Sequence, residues 1–126
     1  MRVRSWVSVL ALAAAGAGCG GLVGLDAPAI EVRLEDDGLH VANHTDATIY
    51  FTAVNPRSLV LWVACTEPDS CDRIESGSAV TLGFDQILGW GLDSDPSDVD
   101  FHYWRLVPTP RGDYRADRIR TIRVSR

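Results

Sequence analysis

Between Leu59 and Leu82 the chain reads LVLWVACTEPDSCDRIESGSAVTL, two apolar runs of β type on either side of a closely spaced pair of cysteines. No other stretch limits the fold as tightly. Leu59 to Ala64 is continuously apolar and carries Val60, Trp62 and Val63, which suit a pleated, covered surface, so it predicts a central, largely buried strand. After Cys65 come Thr66 to Ser70, with Pro68 and Asp69 supplying turn chemistry, and then Cys71. This spacing lets the two sulfurs meet across a tight loop. A bridge there closes about seven residues and removes denatured-state entropy worth roughly 2.4 kcal/mol. Two buried free thiols are the alternative. A metal site is disfavoured, because neither a second cysteine pair nor a nearby histidine completes four ligands. Ile74 to Ser78 reads as a turn, and Ala79 to Leu82 resumes an extended pattern.

The N-terminus has a different character. Met1-Arg2-Val3-Arg4 is a positively charged head, and Trp6 to Ala15 is an apolar run broken only by Ser8. A bilayer needs about 20 such residues, so the run has the length of a signal-peptide apolar region rather than of a membrane span. Ala15-Gly16-Ala17-Gly18 then leads into Cys19. This pattern resembles the lipobox of bacterial lipoproteins, with Gly16 standing where leucine is usual. The resemblance implies that residues 1–18 are a removed lipoprotein signal peptide and that Cys19 is acylated, with palmitate-type chains, as the mature N-terminus. Ordinary cleavage after Ala15-Gly16-Ala17 is the competing outcome. Acylation of Cys19 would account for the odd cysteine left by the 65–71 pair, and export would place that pair in an oxidising compartment. Residues 19–28 are then the lipidated cysteine and a short tether, whose nine residues from Gly20 to Pro28 reach at most about 30 Å. Glycine rather than aspartate after Cys19 implies the periplasmic face of the outer membrane if the cell is Gram-negative.

The remaining 29–126 read as one domain. Ile30, Val32 and Leu34 alternate with charged residues, Asp36-Asp37-Gly38 turns the chain, and Leu39 and Val41 continue on the far side, which is a hairpin signal. Asn43 to Asp46 is a polar turn, and Ala47 to Val54 is a third strand. Phe84 to Leu92 has apolar residues without alternation and reads as a crossing segment or irregular strand. Asp93 to Asp98 is a polar loop. Val99 to Val107, VDFHYWRLV, is the longest aromatic-rich strand signal, Pro108 to Asp117 a loop, and Arg118 to Val124 a closing strand in which Ile119 is out of phase, as at a bulge or edge.

Charge and motif content exclude more than they assign. Loss of Arg2 and Arg4 takes the net charge from −5 to about −7, and all 12 basic residues are arginines, seven of them after residue 101. An acidic envelope protein has no access to nucleic acid, so the tail is expected to be a salt-bridged edge strand rather than a nucleic-acid patch. In Asp93 to Trp104 the glycine and bidentate-glutamate positions of an EF-hand hold Asp98 and Trp104, which leaves at most a looser calcium loop. His40, His44 and His102 have no metal-type spacing, and no nucleophile elbow, zinc helix or phosphate loop is present. No enzyme, cofactor or metal is expected.

Many short strands, frequent turn signals and no helix after the signal predict an all-β fold, an antiparallel immunoglobulin-like β-sandwich of seven or eight strands. The pattern resembles immunoglobulin-like or fibronectin-like modules, without the inter-sheet cysteine pair of antibody domains; it is more weakly similar to small bacterial β-sandwich proteinase inhibitors. The expectation is a membrane-anchored envelope lipoprotein whose non-catalytic domain binds another envelope protein or the wall. The alternative is a secreted ligand-binding or inhibitory module. The expected contact is at Trp90, Asp93 and Asp95, where a tryptophan beside glycines adjoins a cluster of acids.

Overall fold

A computed structural model of the chain describes residues 29–92 and 97–126. Nine strands are present among them: β1 Ile30–Glu35, β2 Gly38–Asn43, β3 Ile49–Val54, β4 Arg73–Ile74, β5 Ala79–Leu82, β6 Asp98–Trp104, β7 Leu106–Pro108, β8 Tyr114–Ala116 and β9 Arg120–Ser125. Single 3-10 turns occur at Phe84–Gln86 and Trp90–Leu92. The strands form a three-stranded sheet in the order β1-β2-β5, a four-stranded sheet in the order β9-β6-β3-β4, and a β7-β8 ribbon, all with antiparallel pairing. The domain is therefore all-β, as the turn spacing predicts.

One core joins the two sheets. Ile30, Leu39, Val41 and Leu82 come from the first sheet, and Ile49, Ala53, Ile74, Val99 and Phe101 from the second. These are the alternate positions that period-two strands place on one face. Among the described residues, the core cluster and the side chains packed on it run from Ile30 to Val124.

The hairpin distinguishes the two ends of the domain. Asp36-Asp37 form the tip between the paired Glu35 and Gly38. Gly38 is required twice over, since its φ is +143° and a Cβ there would stand 2.1 Å from the Leu82 carbonyl oxygen. This end, with the start of β6 and the residues after Leu82, is the far end. The near end holds Ala29, whose carbonyl accepts from the His44 amide at 2.8 Å, together with the starts of β1 and β3.

A fully buried asparagine fastens each end. At the near end Asn43 Nδ2 donates to the carbonyls of Ala47 (2.8 Å) and Ile74 (2.9 Å), tying the first sheet to the second, while its Oδ1 accepts from the Thr45 amide. The polar turn read at Asn43 thus has a buried anchor. At the far end Asn55 Nδ2 donates to the Gly89 carbonyl at 3.2 Å, and the Asn55 amide to that of Leu88 at 2.8 Å.

Four expectations need correction. Leu59 to Ala64 is not a central strand: it is an unladdered strap in which Leu59, Leu61 and Val63 are 98%, 96% and 88% exposed. Both sides of β3 are taken by β6 and β4, so the strap finds no place in the sheet and crosses its outer face. Pro108 to Asp117 is not a loop, because Leu106–Pro108 and Tyr114–Ala116 pair as the β7-β8 ribbon. The long strand at 99–107 accordingly ends at Trp104, and Arg105 carries the chain into that ribbon. Finally, Ile74 belongs to β4 and is 1% exposed, so the turn starts only after it.

Candidate functional site

Two apolar surfaces and one cleft stand out. The first surface is the rim at the far end, built by residues 84–92. The Gly83 amide donates to the Gln86 side chain at 2.9 Å, and the Ile87 amide to the Phe84 carbonyl at 3.1 Å, which closes the first turn. The Leu88 amide donates to the Ala53 carbonyl at 2.9 Å, holding the segment against the end of β3. Gly89 has φ +78°, and a Cβ there would meet the Ser58 side chain at 2.2 Å, so this glycine is wedged against the strap. Gly91 faces open space. Between them the Trp90 ring stacks on Phe84 with centroids 4.8 Å apart and 11° between planes, and packs on the core. Leu88 and Leu92 leave 39% and 79% of their surface exposed beside it. The Arg126 guanidinium stands 5.8 Å above the Phe84 ring and reaches Asp36 at 3.8 Å.

The second surface is the outward row of the strap, Leu59, Leu61 and Val63, which period two spreads over about 13 Å. The inward row is anchored. Trp62 stacks on His102 (centroids 4.5 Å) and on Trp104 (6.0 Å), the outward-facing residues of β6. Trp104 is 2% exposed, and its indole N–H donates to the Cys65 carbonyl at 3.0 Å. Cys65 and Cys71 are joined by a disulfide with a Cα–Cα distance of 5.7 Å. The Cys71 amide donates to the Glu67 carbonyl at 3.1 Å, closing the knuckle, and the Asp72 carbonyl accepts from the Phe51 amide at 3.3 Å. The strap therefore runs the length of the sheet and is pinned at the far end by Asn55 and at the near end by the knuckle.

The charges beneath the strap are ordered. Arg123 grips Asp100 through two hydrogen bonds of 2.6 and 2.9 Å, which hold the Asp100 carboxyl below its usual range. Burial lowers the His102 imidazole from its ordinary value, opposed by the nearby Asp100 charge, and its Nδ1 lies 2.7 Å from the Thr121 hydroxyl. The other histidines serve single carboxylates, His40 with Asp37 at 2.6 Å and His44 with Glu31 at 3.1 Å.

The cleft opens at the near end between the sheets, with a volume of about 240 Å³, and is lined by Ala29, Ile30, Trp104, Arg105, Arg118 and Arg120 among others. Among the described residues neither Arg118 nor Arg120 has a carboxylate partner, whereas Arg105 approaches Asp46 at 3.8 Å and Arg115 approaches Asp117 at 4.0 Å.

Of the residues singled out in the sequence, Trp90 lies on the far-end rim and the Cys65–Cys71 knuckle at the near end, so the fold does not bring them together. Cys19, Asp93 and Asp95 lie outside the described residues. The ridge of Leu59, Leu61 and Val63 was missed as a surface, because an apolar run of six is ordinarily covered on both faces. A cue was available in its neighbours: the run is followed within a few residues by a bridged turn, which returns the chain without an opposing strand long enough to pair with it. No family model matches the chain, and no curated protein and no solved structure matches it.

Proposed function

We propose that the chain is a cell-envelope lipoprotein, anchored through an acylated Cys19, whose immunoglobulin-like domain docks an envelope protein or the wall without catalysing a reaction. The strand order supports the finer fold reading: β1-β2-β5 against β9-β6-β3-β4 matches the sequence-order pattern A-B-E against G-F-C of immunoglobulin-type sandwiches, with β4 added beside C. The observation that carries the docking role is the rim in which the exposed Leu88 and Leu92 flank the half-buried Trp90, at the end farthest from Ala29. A tether entering at Ala29 would leave that end the most accessible, and loops at the end of a rigid sandwich are where such folds place recognition. Trp90 has the character of an anchor, held by Phe84 on one side and bordered by exposed leucines on the other.

The test couples three measurements. The mass of the mature N-terminus is expected to show acyl chains on Cys19. Envelope pull-down from detergent is expected to lose the partner with Leu92→Ser, at unchanged melting temperature, and with Trp90→Ala, where truncating an interface anchor costs 2 kcal/mol or more, roughly thirtyfold in affinity. If Leu92→Ser retains the partner and Trp90→Ala only lowers the melting temperature, Trp90 is a packing residue and the docking role at this rim is lost.

A further inference from the structure

Strand β9 carries an arginine in its inward row. Ile122 and Val124 pack on the core, and period two puts Arg120 on the same face, opposite Tyr103 in the ladder with β6. It lines the near-end cleft between the sheets, of about 240 Å³, where Arg118 joins it. The backbone on both sides is fixed. The Asp117 amide donates to the Arg105 carbonyl at 2.9 Å just before the two arginines, and Arg120 opens the ladder just after them.

These two charges are left over in a domain with carboxylates to spare. Beyond residue 28 the chain carries sixteen acids and ten arginines, since only Asp26, Arg2 and Arg4 precede it. Arg33, Arg73, Arg105, Arg115, Arg123 and Arg126 each stand within 4.0 Å of a carboxylate. Among the described residues Arg118 and Arg120 do not, and Arg111, which also lacks one, sits on the ribbon turn outside the cleft. Asp117, the carboxylate in the cleft lining, reaches Arg115 at 4.0 Å. The opposite wall is apolar, formed by Ala29, Ile30 and Ile49. Two guanidinium forks match the flat, two-oxygen shape of a carboxylate, whereas the further oxygens of a phosphate would meet that apolar wall. The volume lies below the roughly 300 to 1,000 Å³ of sites that enclose a drug-sized ligand, so the cleft suits one short stem.

We propose that the near-end cleft binds a carboxylate at the end of a short apolar stem, either a free acid or the last residue of a peptide chain. The carboxylate takes Arg118 and Arg120, and the stem lies on Ile30 and Ile49. This site is separate from the far-end rim and does not rest on the docking role given to that rim.

The probe is hexanoate, titrated into the full chain while the amide signals of Ile30, Ile49 and Arg120 are followed by NMR, with hexanamide as its uncharged counterpart. Saturable shifts are expected with hexanoate and not with hexanamide. Arg118→Gln/Arg120→Gln is expected to weaken binding about tenfold or more, and Arg111→Gln to leave it as in the parent. A tripeptide ending in leucine separates the two sources: binding tighter than that of hexanoate, lost when the terminus is amidated, assigns a chain terminus, and weaker binding assigns a free acid. No saturable shift in the parent, an equal response to hexanamide, or equal affinity in the double variant overturns the proposal. Equal shifts from inorganic phosphate also overturn it, leaving an unselective cationic patch. A double variant that self-associates yet binds hexanoate as the parent does would make the arginines guards of the β9 edge. Binding of hexanoate by Asp26→Asn and not by the parent would give the cleft to the chain's own N-terminal segment. Either result overturns the proposal as well.

Discussion

The strap at 59–64 and strand β6 at 98–104 are both extended, both alternate between two faces, and exchange roles relative to their hydrophobicity. The strap sequence LVLWVA has no polar side chain, yet three of its six residues face outward almost unburied. Strand β6, DVDFHYW, carries two aspartates and a histidine, yet Val99 and Phe101 are 0% exposed and Trp104 2%. The difference lies in partners. β6 has β3 on one side and β9 on the other, so its backbone is satisfied and its polar residues can turn to the outer face, where Asp100 meets Arg123 and His102 meets Thr121. The strap has no ladder and is held by Asn55 at its far end, by the Trp62 stack and by the knuckle. Burial followed from the neighbours a segment could pair with, not from its apolar content.

The largest effect that would break this comparison is a paired truncation. Phe101→Ala empties a fully buried site that stacks on Phe51 and Tyr103, and is expected to cost about 3 to 5 kcal/mol in denaturant unfolding. Leu61→Ala, equally apolar by sequence, should stay within about 0.5 kcal/mol. Similar losses for the two would mean that the strap is buried after all.

Next is the knuckle. Cys71→Ser is expected to lower stability by up to about 2 kcal/mol, the entropy of a seven-residue closure, and to expose the strap to proteolysis while the sheets persist. Unchanged cleavage at 59–64 would show that the Trp62 stack alone holds the strap.

The smallest effect is on pH. Burial sets the folded His102 below its unfolded value, so the fold favours the neutral ring. That contribution is complete above the unfolded value near 6.5 and is lost as pH falls through it toward the folded one. The residues facing this ring are Trp62, Thr121, Asp100 and Arg123, and the Asp100 charge reduces the step. Melting temperature is expected to decline slightly below about pH 6.5 in the parent and not in His102→Phe. Asp100 itself, lowered by Arg123, loses its share only in stronger acid, as pH falls below the ordinary aspartate value of 3.8. A slope unaffected by His102→Phe would place the titrating group elsewhere.

Sequence by itself determined the features that depend on near neighbours along the chain. The Asp36-Asp37-Gly38 turn, the alternation of Ile30, Val32 and Leu34, the third strand with Ile49 and Ala53 inward, and the Cys65–Cys71 bridge all follow from local sterics, period two and a short loop. For the candidate site, Trp90 and its glycines were visible in the same way. Only the tertiary structure decided what is covered. It gave the edges of β3 to β6 and β4, left the strap outside, wedged Gly89 against Ser58, paired the 106–116 segment into a ribbon, and set Arg118 and Arg120 beside Ala29. Most of those outcomes depend on which strands compete for a limited number of ladder positions, and that competition pairs residues well separated in the chain, such as Ile49 with Ile74 and Tyr50 with Trp104.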